Sequence, residues 1–531
     1  MNTLHTLIFS IFRSHRWLYV GAWFLALAIA VGRIENAHLC FHDFKKVGDP
    51  ERRIDGNSGH TTIDFGGQWL LGRLLARGYG KDLYTFSRHV EVAERAYPRE
   101  RAAPLAERRD SEIITQFYIH SAPDYNIGGP LYPPIHAFFM LPFALGEHPQ
   151  EAYFAMQYVQ MLFCFVAGLG VCFLSRGRIW WPVATAIILS FPGARGVIDL
   201  GQNSALTLSL LIWGWVLLSR SHPILGGCLW GIIAYKPVWS VSYFLVLILI
   251  RNWRAAGSML ATSAILVLLT IPFVGVQAWL NWLAIGQEAA RIYNVDSNWV
   301  RLSRDLLSIP RRFLIDFELA RSERENVAAL AASWALWLLV FEISIRAFLA
   351  SRKQIGNYIG PLPALVLLAA WLCTFHFMYY DSLISVFGIF VLLADPRAFF
   401  SRRILSLASV DQNDESGTHS KIQRSVWLLN SFVLTVVAIL LIHENTTQIL
   451  KIEVTGAVLA LAQKHEVAEN IYDYSPKLII GSSDLYPWNT IMVLFLWFWC
   501  CLKATIQHSS ANSNSATQPI QRQPDILSPH Q

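Results

Sequence analysis

The sequence predicts an all-α polytopic membrane protein, a bundle of about twelve transmembrane helices with a large first extracytoplasmic loop that carries interfacial helices. Three observations predict it. Only 15% of the 531 residues are charged and 54% are hydrophobic, with a mean hydropathy of +0.37; soluble domains carry about 25% charged residues. The apolar residues cluster into runs such as 17–31, 152–174 and 203–218, at or near the roughly 20 residues that cross a hydrocarbon core. Basic residues gather in the short loops between runs. This composition excludes a nucleic-acid binder, a secreted disulfide scaffold and a soluble metabolic enzyme. The net charge of +6 marks cytoplasmic loops rather than a nucleic-acid surface.

Each element follows from its local pattern. Arg13 and Arg16 precede the first run, read as a retained helix because the run is long and many more spans follow, although Ala28-Ile29-Ala30 faintly resembles a cleavage site. A polar stretch runs from 33 to 131. Further spans are predicted near 152–175, 178–192, 203–219, 222–236, 238–250, 257–275, 327–346, 360–375, 381–395, 426–443 and 488–505. Several are short enough to be broken or tilted helices. The segment from Tyr132-Pro133-Pro134 to Gly146 is apolar but too short to span, and reads as a re-entrant or interfacial helix. Arg176/Arg178, Arg220, Arg251/Arg254, Arg346/Arg352/Lys353 and Arg397/Arg402/Arg403 all fall in short loops. With those loops cytoplasmic, the alternation closes with both termini inside, and 33–151, 193–202, 276–326 and 444–487 face the extracytoplasmic side. The stretch 411–420 and the tail after Lys503 are polar enough to be disordered. Six of the seven cysteines lie in or beside apolar segments, where thiols behave as small hydrophobes, and no metal or redox spacing is present.

That topology collects polar residues on one membrane face. Asp64 precedes Phe65-Gly66-Gly67-Gln68-Trp69-Leu70-Leu71, whose leucines continue at helical spacing through Leu74 and Leu75. The pattern suits a helix lying on the membrane surface, with Asp64 as its N-cap, as a general base, or as both. Gly201-Gln202-Asn203 stands directly before a span, where the amides either cap the helix or hydrogen-bond a headgroup or sugar. Lys236-Pro237 sits at an outer helix boundary, where the ammonium either snorkels or meets a phosphate. His376-Phe-Met-Tyr-Tyr380-Asp381 forms a tight outer turn, where a His–Asp pair can tie the turn or serve chemistry. The loop 291–301, polar and aromatic, is either a carbohydrate contact or a solvated connector.

Taken in order, these motifs resemble a known family. The order is Asp64, Gly-Lys-Asp-Leu-Tyr84, Leu-Tyr132-Pro-Pro-Ile135 opening a short helix that ends Leu-Pro-Phe-Ala-Leu, Gly-Gln-Asn-Ser-Ala-Leu, Lys236-Pro237 and His-x-x-x-Tyr-Asp. Over residues 10–400 the chain resembles glycosyltransferase family 87, polyprenol-phosphate-sugar-dependent membrane enzymes of the GT-C superfamily. The resemblance implies a catalytic module over 1–400, a linker over 401–425, two further helices over 426–505 and a tail over 506–531. It also implies Asp64 as the catalytic base, with Lys236, Gln202 and Asn203 holding the donor phosphate. His376, Tyr380 and Asp381 would lie near the sugar or acceptor, and Tyr132 would contact substrate. The first loop is longer and more charged than the family pattern, and Phe-Gly-Gly follows Asp64 instead of a bulkier run. Asp82, Asp110 and Asp124 therefore stand as rivals for the base.

The implied reaction is a direct, inverting displacement. A carboxylate deprotonates the acceptor hydroxyl while a lipid phosphate leaves the anomeric carbon and cations stabilise its charge. The expected partners are a polyprenyl-phosphate-linked sugar, mannose being the commonest in the family, a glycan or glycolipid acceptor, and the bilayer. The expected location is the plasma membrane with the site facing out. No cofactor or metal is expected. A lipid-linked sugar flippase or other transporter is the competing reading, although transporters favour symmetric halves and midplane charges.

Overall fold

The structure is a computed structural model of the chain, and it describes residues 16–47, 65–96, 129–146, 149–317, 319, 323–351, 358–395, 430, 433, 435 and 487–516. Among these residues the fold is helical throughout, with one isolated antiparallel bridge between Ser303 and Met378. The helices in chain order are α1 Arg16–Val47, α2 Phe65–Ala76, α3 Phe86–Ala96, α4 Pro134–Met140, α5 Pro149–Leu174, α6 Trp181–Ser190, α7 Ala194–Asp199, α8 Ser204–Ser219 and α9 Pro223–Ile232. They continue with α10 Pro237–Leu249, α11 Trp253–Tyr293, α12 Ser297–Leu302, α13 Ser308–Leu314, α14 Val327–Ser351, α15 Pro361–Leu372, α16 Val386–Leu393 and α17 Trp488–Ala516.

Four segments, 16–35, 151–174, 253–291 and 327–351, are long and apolar enough to cross a membrane. The other apolar segments form helices of 10–17 residues, and the expected span at 426–443 is described only at 430, 433 and 435. Four of the twelve expected spans are thus membrane-length helices among the described residues. One predicted boundary moves. The run at 257–275 is the first part of a longer helix that passes Pro272, bends at Gly275 (φ +73°) and continues to Tyr293. Proline removes a ladder hydrogen bond and glycine tolerates positive φ, which accounts for the bend. The last helix also runs past residue 505 to Ala516, so 506–516 is helical where a disordered tail was expected.

The core is a bundle in which α8 packs on α5 and α9, α9 on α11, α15 on α16 and α17, and α6 on α1 and α5. Small residues permit the tightest contact. A Cβ on Gly227 would stand 2.1 Å from Ser258 Oγ, and one on Gly231 would stand 2.6 Å from Thr262 Cβ, so α9 and α11 approach backbone to backbone. In contrast, α1, α11 and α14 leave most of their apolar surface uncovered, as lipid-facing helices do. The Arg178 guanidinium donates to the Ala394 carbonyl (2.9 Å) and Arg220 to that of Phe173 (3.2 Å). Two of the predicted cytoplasmic turns are thus tied into one end of the bundle.

Helix α2 departs from the expected surface helix. Every residue from Phe65 to Leu74 is buried, not only an apolar stripe. Its glycines explain how. A Cβ at Gly72 would lie 2.9 Å from Met140 and Ala144, so α2 sinks against α4. Arg73 follows it inward by donating to the carbonyls of Ala144 (3.1 Å) and Leu145 (2.8 Å). Asp64 itself, with Asp110 and Asp124, lies outside the described residues.

Candidate active site

At the end opposite the arginine turns, the loops 129–133, 200–203, 233–236 and 376–381 meet around two buried polar groups. The first centres on Gln68, which is wholly buried in α2. Its Oε1 accepts from His136 Nε2 (3.0 Å) and Asn203 Nδ2 (3.3 Å), and its Nε2 donates to the Gly201 carbonyl (3.3 Å). An amide oxygen accepts only, so His136 carries its proton on Nε2. Its Nδ1, like Asn203 Oδ1, is a buried atom without a partner among the described residues. Tyr132 stacks on His136 with ring centroids 4.2 Å apart and donates its hydroxyl to Gln202 Oε1 (2.8 Å). The Tyr84 hydroxyl in turn donates to the Tyr132 carbonyl, which fixes the segment that opens α4.

Asn203 occupies the position before α8, yet its side chain makes no cap hydrogen bond. The carboxamide goes to Gln68 instead. At the helix start the Leu206 N–H donates instead to Gln160 Oε1 (3.3 Å). The cap role that the sequence position favours is therefore not the one adopted. Gly201, at φ +62°, would bring a Cβ within 3.1 Å of the Phe65 ring. The first described residue of α2 thus docks directly on the Gly201-Gln202-Asn203 turn.

The second group is an ion pair. Lys236 Nζ lies 2.7 Å from Asp381 Oδ1, and both side chains are almost fully buried. Ser204 Oγ donates to the same carboxylate oxygen and lies 3.4 Å from Lys236 Nζ. Trp371 Nε1 donates to the Asp381 carbonyl (3.1 Å), and the ammonium stands 5.5 Å from the Tyr380 ring centroid. Backbone geometry makes this possible. Pro237 starts α10 and leaves Lys236 non-helical at the junction. Gly193, at φ +89°, lets the 379–381 turn approach so closely that a Cβ there would be 2.6 Å from the Tyr380 carbonyl. Next to it, the Arg195–Asp199 ion pair (2.7 Å) ends α7. Burial pushes the Asp199 carboxyl upward and Arg195 opposes that shift.

His376 does not join Asp381. It adopts φ +50°, a left-handed conformation uncommon outside glycine and asparagine. Its N–H donates to Asp305 Oδ2 (2.8 Å), and its exposed ring stands at the mouth of a separate pocket with Tyr293, Trp299, Ser303, Asp305 and Arg311. The Ser303 hydroxyl and the Arg304 N–H both donate to the Phe377 carbonyl (3.1 and 3.0 Å), stitching this loop to the turn.

Of the predicted residues, Tyr132, Gln202 and Asn203 thus join one network, Lys236, Tyr380 and Asp381 a second, and His376 stands at a neighbouring pocket. Sequence reasoning missed Gln68, His136 and Ser204. A histidine two residues beyond Pro134 in an apolar helix, and a glutamine inside a leucine-rich one, were the available signals.

The sequence model of glycosyltransferase family 87 matches residues 131–354. No curated protein and no solved structure matches the chain. The matched segment contains Tyr132, His136, Gln202, Asn203, Ser204 and Lys236, while Gln68 and Asp381 complete the networks from outside it. Over residues 131–354 the chain is thus similar to glycosyltransferase family 87, and four of its helices are long and apolar enough to cross a membrane.

Proposed function

We propose that the protein moves a hexose, with mannose the expected sugar, from a polyprenyl-phosphate carrier to a glycan or glycolipid acceptor at the extracytoplasmic face of the plasma membrane. The site is of the GT-C type, and transfer proceeds with inversion. Asp64 acts as base on the acceptor hydroxyl. Lys236, Gln202 and Asn203 help hold the donor phosphate, and Tyr132 contacts substrate. An ammonium has three N–H donors; Asp381 and Ser204 engage two of them. His376, Tyr380 and Asp381 form the acceptor side.

One observation carries this reading: Phe65, the residue after Asp64, packs on Gly201 beside a network with buried polar atoms left over at His136 and Asn203. Leftover buried donors and acceptors are costly unless a ligand uses them. A donor anchored in the bilayer also suits a site at helix ends among lipid-facing helices.

The test is purified protein in lipid, given synthetic polyprenyl-phosphate mannose and a panel of acceptors, with products read by mass spectrometry. Transfer with inverted configuration is expected. Asp64→Asn should lower kcat by about 10²–10⁴-fold, the range for loss of a general base, while the protein still inserts. Unchanged transfer in Asp64→Asn would reassign the base to Asp82, Asp110 or Asp124.

A further inference from the structure

We propose that the pocket between the 297–312 loop and the 376–378 turn binds a phosphate group through Arg311, with His376 as a second donor at its mouth. The pocket is small and open on one side, lined by Tyr293, Trp299, Ser303, Asp305, Arg311 and His376. This suits one small polar group and is too little for an extended glycan.

The donors that remain point to an anion. Arg311 is only 5% exposed, yet its guanidinium makes no hydrogen bond or ion pair within the described residues. Its neighbours are already occupied. Asp305 accepts the Ser308 N–H on Oδ1 (2.7 Å) and the His376 N–H on Oδ2 (2.8 Å), and no ion pair joins it to Arg311. The Ser303 hydroxyl donates to the Phe377 carbonyl (3.1 Å) and that of Ser308 to the Asp305 carbonyl (2.8 Å). What remains facing the cavity is a guanidinium fork and an imidazole ring. A fork of that kind matches two phosphate oxygens at once. The local charge favours the same ligand, because the 301–312 segment holds Arg301, Arg304, Arg311 and Arg312 against Asp305 alone. Arg304 and Arg312 turn inward on backbone carbonyls, including that of Ser303.

The pocket also borders exposed apolar surface. In the same short helix as Arg311, Phe313 and Leu314 are 61% and 45% exposed, so one side is suited to acyl or prenyl chains while the other carries the cation. Lys236, by contrast, already has Asp381 (2.7 Å) as its counter-ion. As a deepening of the transfer reading, on which its identification of the ligand rests, Arg311 is a second cation, beside Lys236, that meets the carrier's phosphate.

The experiment uses the full chain in nanodiscs and measures binding of three probes: polyprenyl phosphate without sugar, inorganic phosphate, and polyprenol. Wild type should bind the first and not the third. Arg311→Gln should weaken phosphate-probe binding about tenfold or more, and Arg311→Lys less, because lysine keeps charge but loses the fork. Tighter binding of polyprenyl phosphate than of inorganic phosphate identifies a lipid source; equal binding identifies a free anion. If both variants bind both phosphate probes as wild type does, the subsite is overturned, and Arg311→Lys decides the matter should Arg311→Gln not fold. Sugar transfer is scored separately. Arg311-dependent binding without any transfer keeps the subsite and removes the donor reading, whereas full transfer with Arg311-independent binding does the reverse.

Discussion

Two buried cations lie at the same end of this bundle and are handled in opposite ways. Lys236 is closed off. Asp381 stands 2.7 Å away, Ser204 bridges the pair, and the surrounding residues are core. Arg311 is open, buried to a similar degree, with Asp305 close enough to act on it electrostatically but no ion pair formed among the described residues. Taking a charge out of water costs several kcal/mol unless a partner returns most of it. A closed pair therefore organises its surroundings, whereas an open charge is held at a cost that a ligand can relieve. The difference separates a cation already held in place by its own counter-ion from one with donors left for a ligand.

Breaking the closed pair should have the largest effect on stability. Asp381→Asn leaves a buried ammonium without its counter-charge, and a loss of about 3–5 kcal/mol is expected. It would be read as a lower midpoint of unfolding in mild detergent. Replacing both partners, Lys236→Met with Asp381→Leu, should recover much of that loss, since apolar replacement of a buried pair is often neutral. Equal damage in the single and double variants would show that the pair is not closed in the sense described.

A smaller effect is expected where a buried titratable group stays neutral. His89 in α3 is wholly buried, donates Nε2–H to the Leu83 carbonyl, and is pushed down to about 4 by burial. Its folded value lies below the ordinary one of about 6.5. Between those values the unfolded chain binds more protons, so stability falls as pH drops from 6.5 towards 4, by up to about 3 kcal/mol. Unfolding midpoints measured across pH 7.5 to 4.5 should show this slope, and His89→Gln should flatten it.

The least effect on stability belongs to the open cation. Arg311→Gln removes an unpaired buried charge, so its unfolding midpoint should shift by less than the equivalent of about 1 kcal/mol even as phosphate binding weakens. A destabilisation as large as that of Asp381→Asn would mean that Arg311 is structural, and would erase the contrast between the two sites.

Much of the candidate site was legible beforehand, and for one reason. Ionisable and amide residues at the ends of apolar helices are expensive, so Lys236, Asp381, Gln202 and Asn203 stand out against their surroundings. Gln68 did not stand out, because a lone glutamine in an amphipathic pattern fits an exposed edge as well as a buried hub. Burial came from the contact of Gly72 with Met140 and Ala144, which lie 68 and 72 positions further along the chain. His376 was expected beside Tyr380 and Asp381 on sequence proximity. A left-handed turn of the backbone sends it to another pocket instead. Arg311 looked like any basic residue in an outer loop, and its missing partner is visible only once the neighbours' hydrogen bonds are counted.

Hydropathy and charge placement by themselves determined the membrane class, the apolar segments and the end of the bundle where polar residues collect. Those properties depend on each residue's own transfer energy and on its nearest neighbours in the chain. Which polar groups satisfy one another was decided only in three dimensions. The Lys236–Asp381 pair spans 145 positions and the Gln68–Asn203 bond 135. Hydrogen bonds and ion pairs act over a few ångströms of space, a distance that sequence separation does not measure.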